Sequence, residues 1–167
     1  MEVNYSQGWF RAQKCSLQFL NTKEANKLHQ KGKFYTALIG DKLSPNCFLE
    51  IRLEAGYIGV FFMDSYLRIY LEYIFKKADD KLFLSEVMVR EFDKSSDVII
   101  KTSQYLFNKQ GKLIIIERDN IAKSEVKKES LDKVDISANM ENIPIFGEYE
   151  DLIKLERIQK TISLLTL

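Results

Sequence analysis

The sequence predicts an α+β protein: an antiparallel meander of about six strands, curved or closed part-way into a barrel, with a short helix before it and a helix after it. Three observations predict it. Apolar and polar residues alternate with period two from residue 46 to 119. Turn signals recur between the alternating runs, and no strand–helix–strand rhythm implies a parallel sheet. At 167 residues the chain is sized for a single domain.

The first element is a helix over 22–31, in "NTKEANKLHQKGK". Asn21 followed three residues later by Glu24 reads as a capping box, and Gly32 closes the segment. In "FLEIRLE", Leu49, Ile51 and Leu53 share one face while Glu50, Arg52 and Glu54 take the other. Ala55-Gly56 suits a tight turn into "YIGVFFM". "YLRIYLEYIF" places Leu67, Ile69, Leu71, Tyr73 and Phe75 together, and its β-branched and aromatic content favours strand over helix. "KKADDK" turns the chain, and "LFLSEVMVREF", "DVIIKTSQYLF" and "KLIIIER" complete the meander across "DKSS" and "NKQG". Residues 120–147 read as a long polar connection, with "KVDIS" as a candidate edge strand. Over 148–162, Leu152, Ile153, Leu155 and Ile162 suggest an apolar stripe. Glu148, Glu150 and Asp151 then occupy a first turn, with Lys154, Arg157 and Lys160 later, as a helix dipole favours. The sheet's apolar face needs cover, and the two terminal helices are the expected source.

Composition excludes several function classes. A chain with 46% hydrophobic and 29% charged residues is globular. It shows no apolar run long enough to span a membrane and no leader at its start, so a cytoplasmic protein is expected. Cys15 and Cys47 form no metal-like or redox pair and read as buried, reduced thiols. His29, the single histidine, lies on a polar helix and reads as solvated, which removes most nucleophile–histidine arrangements. No glycine-rich array cradles a phosphate, no cofactor or metal is implied, and basic residues do not form a nucleic-acid footprint.

Carboxylates are the remaining chemical resource. Glu50, Glu54 and Glu72 fall with lysines and arginines on the polar face and read as a cross-strand ion-pair lattice. Glu86 shares its parity with Leu82, Leu84, Met88 and Phe92, and is therefore expected either on a partly exposed face or buried with a partner. Charge is uneven along the chain. Residues 1–42 carry seven Lys or Arg against three acids, whereas residues 132–156 carry seven acids against two lysines. Tyr57, Tyr66, Tyr70, Tyr105 and Tyr149 lie near strand ends or on the more polar faces, and read as rings packed in the core with wet hydroxyls or, beside so many acids, as parts of a protein-binding surface.

Residues 134–157, "VDISANMENIPIFGEYEDLIKLER", resemble the C-terminal stretch of small bacterial immunity proteins of polymorphic or contact-dependent growth-inhibition toxin systems. The likeness lies in a polar loop with asparagine and acid, a proline, a Phe-Gly-x-Tyr step and a closing helix. "YLEYIFKKADDKLFLSEVMVREFD" and "YLFNKQGKLIIIERD" are similar to the hairpins of such proteins. The resemblance implies a non-enzymatic inhibitor that covers the active site of a cognate toxin domain, such as a nuclease. Such inhibitors work through rigid scaffold, complementary charge and anchor rings. The expected contact residues are Asp135, Glu141, Glu148, Glu150 and Asp151, with Tyr149 as the anchor. A ligand-binding or scaffold domain on a partial barrel and a carboxylate-dependent hydrolase are the competing expectations.

Overall fold

The structure, a computed structural model, describes residues 1–122 and 126–163. Along the chain, β1 (Val3–Ser6) leads into a small hairpin, β2 (Trp9–Phe10) and β3 (Cys15–Ser16), then β4 (Phe19–Leu20) and helix α1 (Thr22–Gln30). Strands β5 (Tyr35–Ile39), β6 (Cys47–Arg52), β7 (Tyr57–Met63), β8 (Ile69–Ala78), β9 (Lys81–Phe92), β10 (Ile99–Phe107) and β11 (Leu113–Asp119) follow. The chain continues with β12 (Lys127–Leu131), β13 (Met140–Asn142) and helix α2 (Glu156–Ser163).

One open antiparallel sheet of 11 strands runs in the order β12-β11-β10-β9-β8-β7-β6-β5-β1-β4, with β13 paired to the first residues of β9. The expected count of about six and the barrel-like closure are both corrected. Strands β6 to β11 span Cys47–Asp119, and the sheet grows beyond them on both sides. Some of the added strands are too short, as in Phe19–Leu20, or too polar, as in "KKESL", for periodicity to reveal them, and β5 is buried at every residue, so it shows no alternation. The edge strand lies at Lys127–Leu131 rather than in "KVDIS".

Helix α1 forms where expected, and its capping box is complete. Glu24 N–H donates to Asn21 Oδ1 and Asn21 N–H to Glu24 Oε2, both at 2.9 Å. The β6–β7 connection is a four-residue turn, Leu53 to Gly56, with Gly56 at φ 62°, rather than a two-residue break.

The helix expected over 148–162 is replaced by turns, and α2 begins only at Glu156. The reason lies in the carbonyls of this segment. Arg157 donates to the Asp151 carbonyl at 2.6 Å, and the Tyr73 hydroxyl reaches those of Lys154 (3.1 Å) and Leu155 (3.4 Å). A continuous helix would have used these oxygens internally.

The core sits on one face of the sheet, around Leu49, Ile51, Val60, Leu71, Tyr73 and Phe75. Helix α1 covers part of it through Ala25 and Leu28. Most of the remaining cover is irregular chain. Val134, Ile136, Ile143, Phe146, Tyr149, Leu152 and Ile153 all pack on the core. The stretch expected as a long connection is therefore a structural layer. Tyr149 and Leu152 are at most 1% exposed, and each buried side chain of this size contributes roughly 1.5–3 kcal/mol.

Two bulges decide which side chains reach which face. Opposite β7, Phe62 pairs with Leu71 but Met63 pairs with Ile69, leaving Tyr70 as the extra residue. Ile69 is thereby turned away from Leu71 and packs with Trp9, Phe48 and Phe61 on the second face. In β9, Ile74 pairs with Glu86 but Phe75 with Leu84, so Ser85 bulges and its hydroxyl donates to the Ile74 carbonyl at 3.2 Å. Leu84 and Val87 both enter the core, and Glu86 does not.

Candidate functional site

The acidic end is only partly available for binding. Tyr149, expected as an exposed anchor ring, is fully buried. Its hydroxyl lies 3.0 Å from that of Tyr35, so the ring secures the cover instead of facing a partner. Glu141 forms an ion pair with Arg157, which is 6% exposed, donates to the Ala138 carbonyl and lies over the Phe75 ring. A charge so far from water needs such partners. Asp135 accepts the Ser137 N–H at 2.9 Å, which holds its carboxyl below the ordinary range. Asp151 is lowered by its bond to Lys154, 2.5 Å away. Glu148 and Glu150 are exposed.

His29 also departs from expectation. Its Nδ1 lies 2.9 Å from the Tyr35 hydroxyl, and its ring packs 5.6 Å from Phe146. Burial pushes its pKa down and pushes Tyr5, Tyr35 and Tyr149 up. Phe146 stacks on Tyr5 at 4.9 Å, which completes an aromatic cluster between α1, the sheet and the cover. Cys15, expected buried, is exposed, while Cys47 is buried and its thiol is pushed up to about 12.

The second face of the sheet is built differently. The β2–β3 hairpin lies over one end of it: Trp9 stacks on Phe48 (5.4 Å), Phe48 on Phe61 (4.7 Å), and Arg11 sits over Phe61 at 4.7 Å while pairing with Glu50 at 2.9 Å. Beyond the hairpin, two adjacent cross-strand rows stay half-exposed. One runs Ile74, Glu86, Leu106, Ile114, and the other Glu72, Met88, Gln104, Ile116. Arg90 donates to Glu72 at 2.8 Å and Gln104 to Glu86 at 2.6 Å. The Tyr57 hydroxyl lies over Gly59, where an added Cβ would meet it and come within 2.7 Å of the Phe61 ring. Burial first, then Glu50 and Glu72, push the Tyr57 hydroxyl up to about 12.

The chain matches no family model, no curated protein and no solved structure. Geometry therefore carries the functional argument. Glu72 forms the expected cross-strand ion pair, with Arg90, whereas Glu50 pairs with Arg11 of the β2–β3 hairpin and Glu54 with Lys33, which is not in a strand. Glu86 joins Glu72 on the polar face because of the Ser85 bulge, which parity over the whole strand did not anticipate. The signal was a change of apolar phase, from Leu82 and Leu84 to Val87 and Val89. Among the described residues, no group of three or more His, Cys, Asp or Glu is placed to hold a metal ion, and no helix is long and apolar enough to cross a membrane.

Proposed function

We propose that this protein acts by binding another folded protein, as an immunity-type inhibitor that covers the active site of a cognate toxin domain. One observation carries the reading: the second face presents Ile74, Met88, Leu106, Ile114 and Ile116 half-exposed and side by side on four adjacent strands, β8 to β11, among polar groups already held in place. Aliphatic area ringed by preorganised polar groups is what a tight protein interface uses, because little side-chain entropy remains to be lost on association. Glu86, bonded to the neutral Gln104, offers a carboxylate to a cationic group of the partner. The acidic end plays a smaller part in this reading, since Glu141 and Tyr149 are committed to the fold.

Co-expression with the product of the adjacent reading frame tests it, scoring growth rescue and co-purification. Ile116→Arg should abolish both, and a Glu148→Lys, Glu150→Lys double variant should leave both intact. The reverse pattern would move the interface to the acidic end. Absence of any rescue or complex would end the inhibitor reading.

A further inference from the structure

Where the β2–β3 hairpin meets the turns at one end of the sheet, it flanks an open pocket of about 350 Å³. This is within the lower range of small-molecule pockets. Trp9, Leu67, Ile69, Phe92 and Ile99 supply apolar walls. Four cations, Arg11, Lys14, Arg68 and Arg90, line the same space against two carboxylates, Glu72 and Asp97. Each of the four is paired with a carboxylate, Arg11 with Glu50, Lys14 with Asp97, Arg68 with Asp64 and Arg90 with Glu72, so charged groups and apolar surface meet here without a net excess of either sign.

The cations are not equivalent. Arg68 is consumed by the fold: it donates to Asp64 (2.7 Å) and to the carbonyls of Lys94 (2.6 Å) and Ser96 (2.5 Å), and it lies over the rings of Tyr66 (4.8 Å) and Phe92 (4.6 Å). Arg11 is spent on Glu50 and on two phenylalanine rings. Lys14 bridges the mouth, reaching exposed Asp97 at 2.6 Å and the Tyr66 carbonyl at 3.1 Å. Arg90 uses Nη2 on Glu72, while its Nη1 is buried without a hydrogen-bond partner among the described residues. A guanidinium N–H left so is costly and favours an added acceptor.

Backbone strain gathers at the same place. Of the five non-glycine residues with positive φ among the described residues, Lys14 (51°) and Leu67 (56°) line the cavity, and Lys94 (40°) supplies a carbonyl to Arg68. For a residue as bulky as Leu67 this conformation is unfavourable, and such strain concentrates where a structure is shaped for a ligand.

We propose that this cavity binds a small carboxylate whose body is a ring or a branched chain. The carboxylate takes the free N–H of Arg90 and displaces Asp97 from Lys14, and the body lies against Trp9, Leu67 and Ile69. The planar fork of arginine suits a carboxylate, as its bond to Glu72 already illustrates. The site shares Arg90 and Glu72 with the edge of the proposed toxin-binding surface, but its test reads a small ligand and stands or falls separately.

The chain's single tryptophan is in the cavity wall, so its fluorescence reports occupancy directly. Phenylacetate should give a saturable change, with phenylacetamide and inorganic phosphate each at least about tenfold weaker, the equivalent of one lost charge-assisted hydrogen bond. Arg90→Gln should weaken phenylacetate about tenfold. Ile99→Phe, which narrows the cavity and leaves every charge in place, should weaken it as well, with far-UV circular dichroism checking that both variants fold. No saturable change, equal binding of the amide or of phosphate, or undiminished binding by both folded variants would overturn the proposal.

Discussion

On one face of the sheet, irregular chain from Val134 to Ile153 lays apolar side chains directly onto the strands, closed by the buried Tyr149 hydroxyl and by Arg157. On the other face, a single short hairpin covers one end through Trp9 and Arg11, and the middle stays half-exposed with its charges tied laterally, Arg90 to Glu72 and Gln104 to Glu86. Both faces carry polar groups, but to different ends. Beneath the cover they hold non-repetitive backbone in place. On the open face they fix side chains at a surface that remains accessible. The difference teaches that regular secondary structure is a poor guide to which half of this molecule is structural: the turns are load-carrying layers, and the regular strands display the candidate surface.

The largest expected effect would break the cover. Tyr149→Ala empties a fully buried site and removes the partner of Tyr35, and should cost about 3–5 kcal/mol in chemical denaturation. Arg157→Ala leaves Glu141 without its ion-pair partner and should cost a similar roughly 3–5 kcal/mol. If either variant unfolds at the wild-type midpoint, the segment is not a structural layer. On the open face, Gly59→Ala is expected to cost about 1–3 kcal/mol, because the new methyl must displace the Tyr57 and Phe61 rings. Loss of the raised Tyr57 titration in ultraviolet absorbance should accompany it.

Ile116→Ser, in the half-exposed row, should change stability by about 0.5 kcal/mol or less, in contrast to Tyr149→Ala. A cost comparable to a core deletion would mean that the open face is a second core. The smallest effect concerns His29. Its folded pKa is lowered by burial, so the unfolded chain binds the proton more readily. The stability it contributes is complete above the ordinary histidine range and is lost as pH falls from that range through the lowered folded value. His29→Gln should flatten the slope of denaturation midpoint against pH there, leaving carboxylate titration at lower pH unchanged.

Much of the fold was legible where a local rule applied. Asn21 and Glu24 named the start of α1 because a capping box is local chemistry, and alternation located strand text between Cys47 and Asp119 because one face is core and the other is not. Parity failed at Tyr70 and Ser85, since one inserted residue reverses every later side chain. The candidate contact residues were harder still. Glu148 and Glu150 are on the surface, but the partners that claim Glu141 and Tyr149, namely Arg157 and Tyr35, cannot be read from spacing.

The sequence by itself determined a sheet-rich chain, the first helix with its caps, the turns at Asn108–Gly111 and Asp79–Asp80, and the supply of acids and rings near the C-terminus. Tertiary structure alone decided that residues 148–155 do not coil into a helix, that Glu86 faces the open surface, that His29 is drawn into an aromatic cluster, and that a hairpin of two-residue strands forms one wall of an open pocket lined by charged groups. The physical reason is one of range. Caps, turns and alternation are fixed by neighbours within a few residues, whereas the carbonyls of Asp151, Lys154 and Leu155 chose between a helix and distant donors only once Tyr73 and Arg157 had been brought beside them.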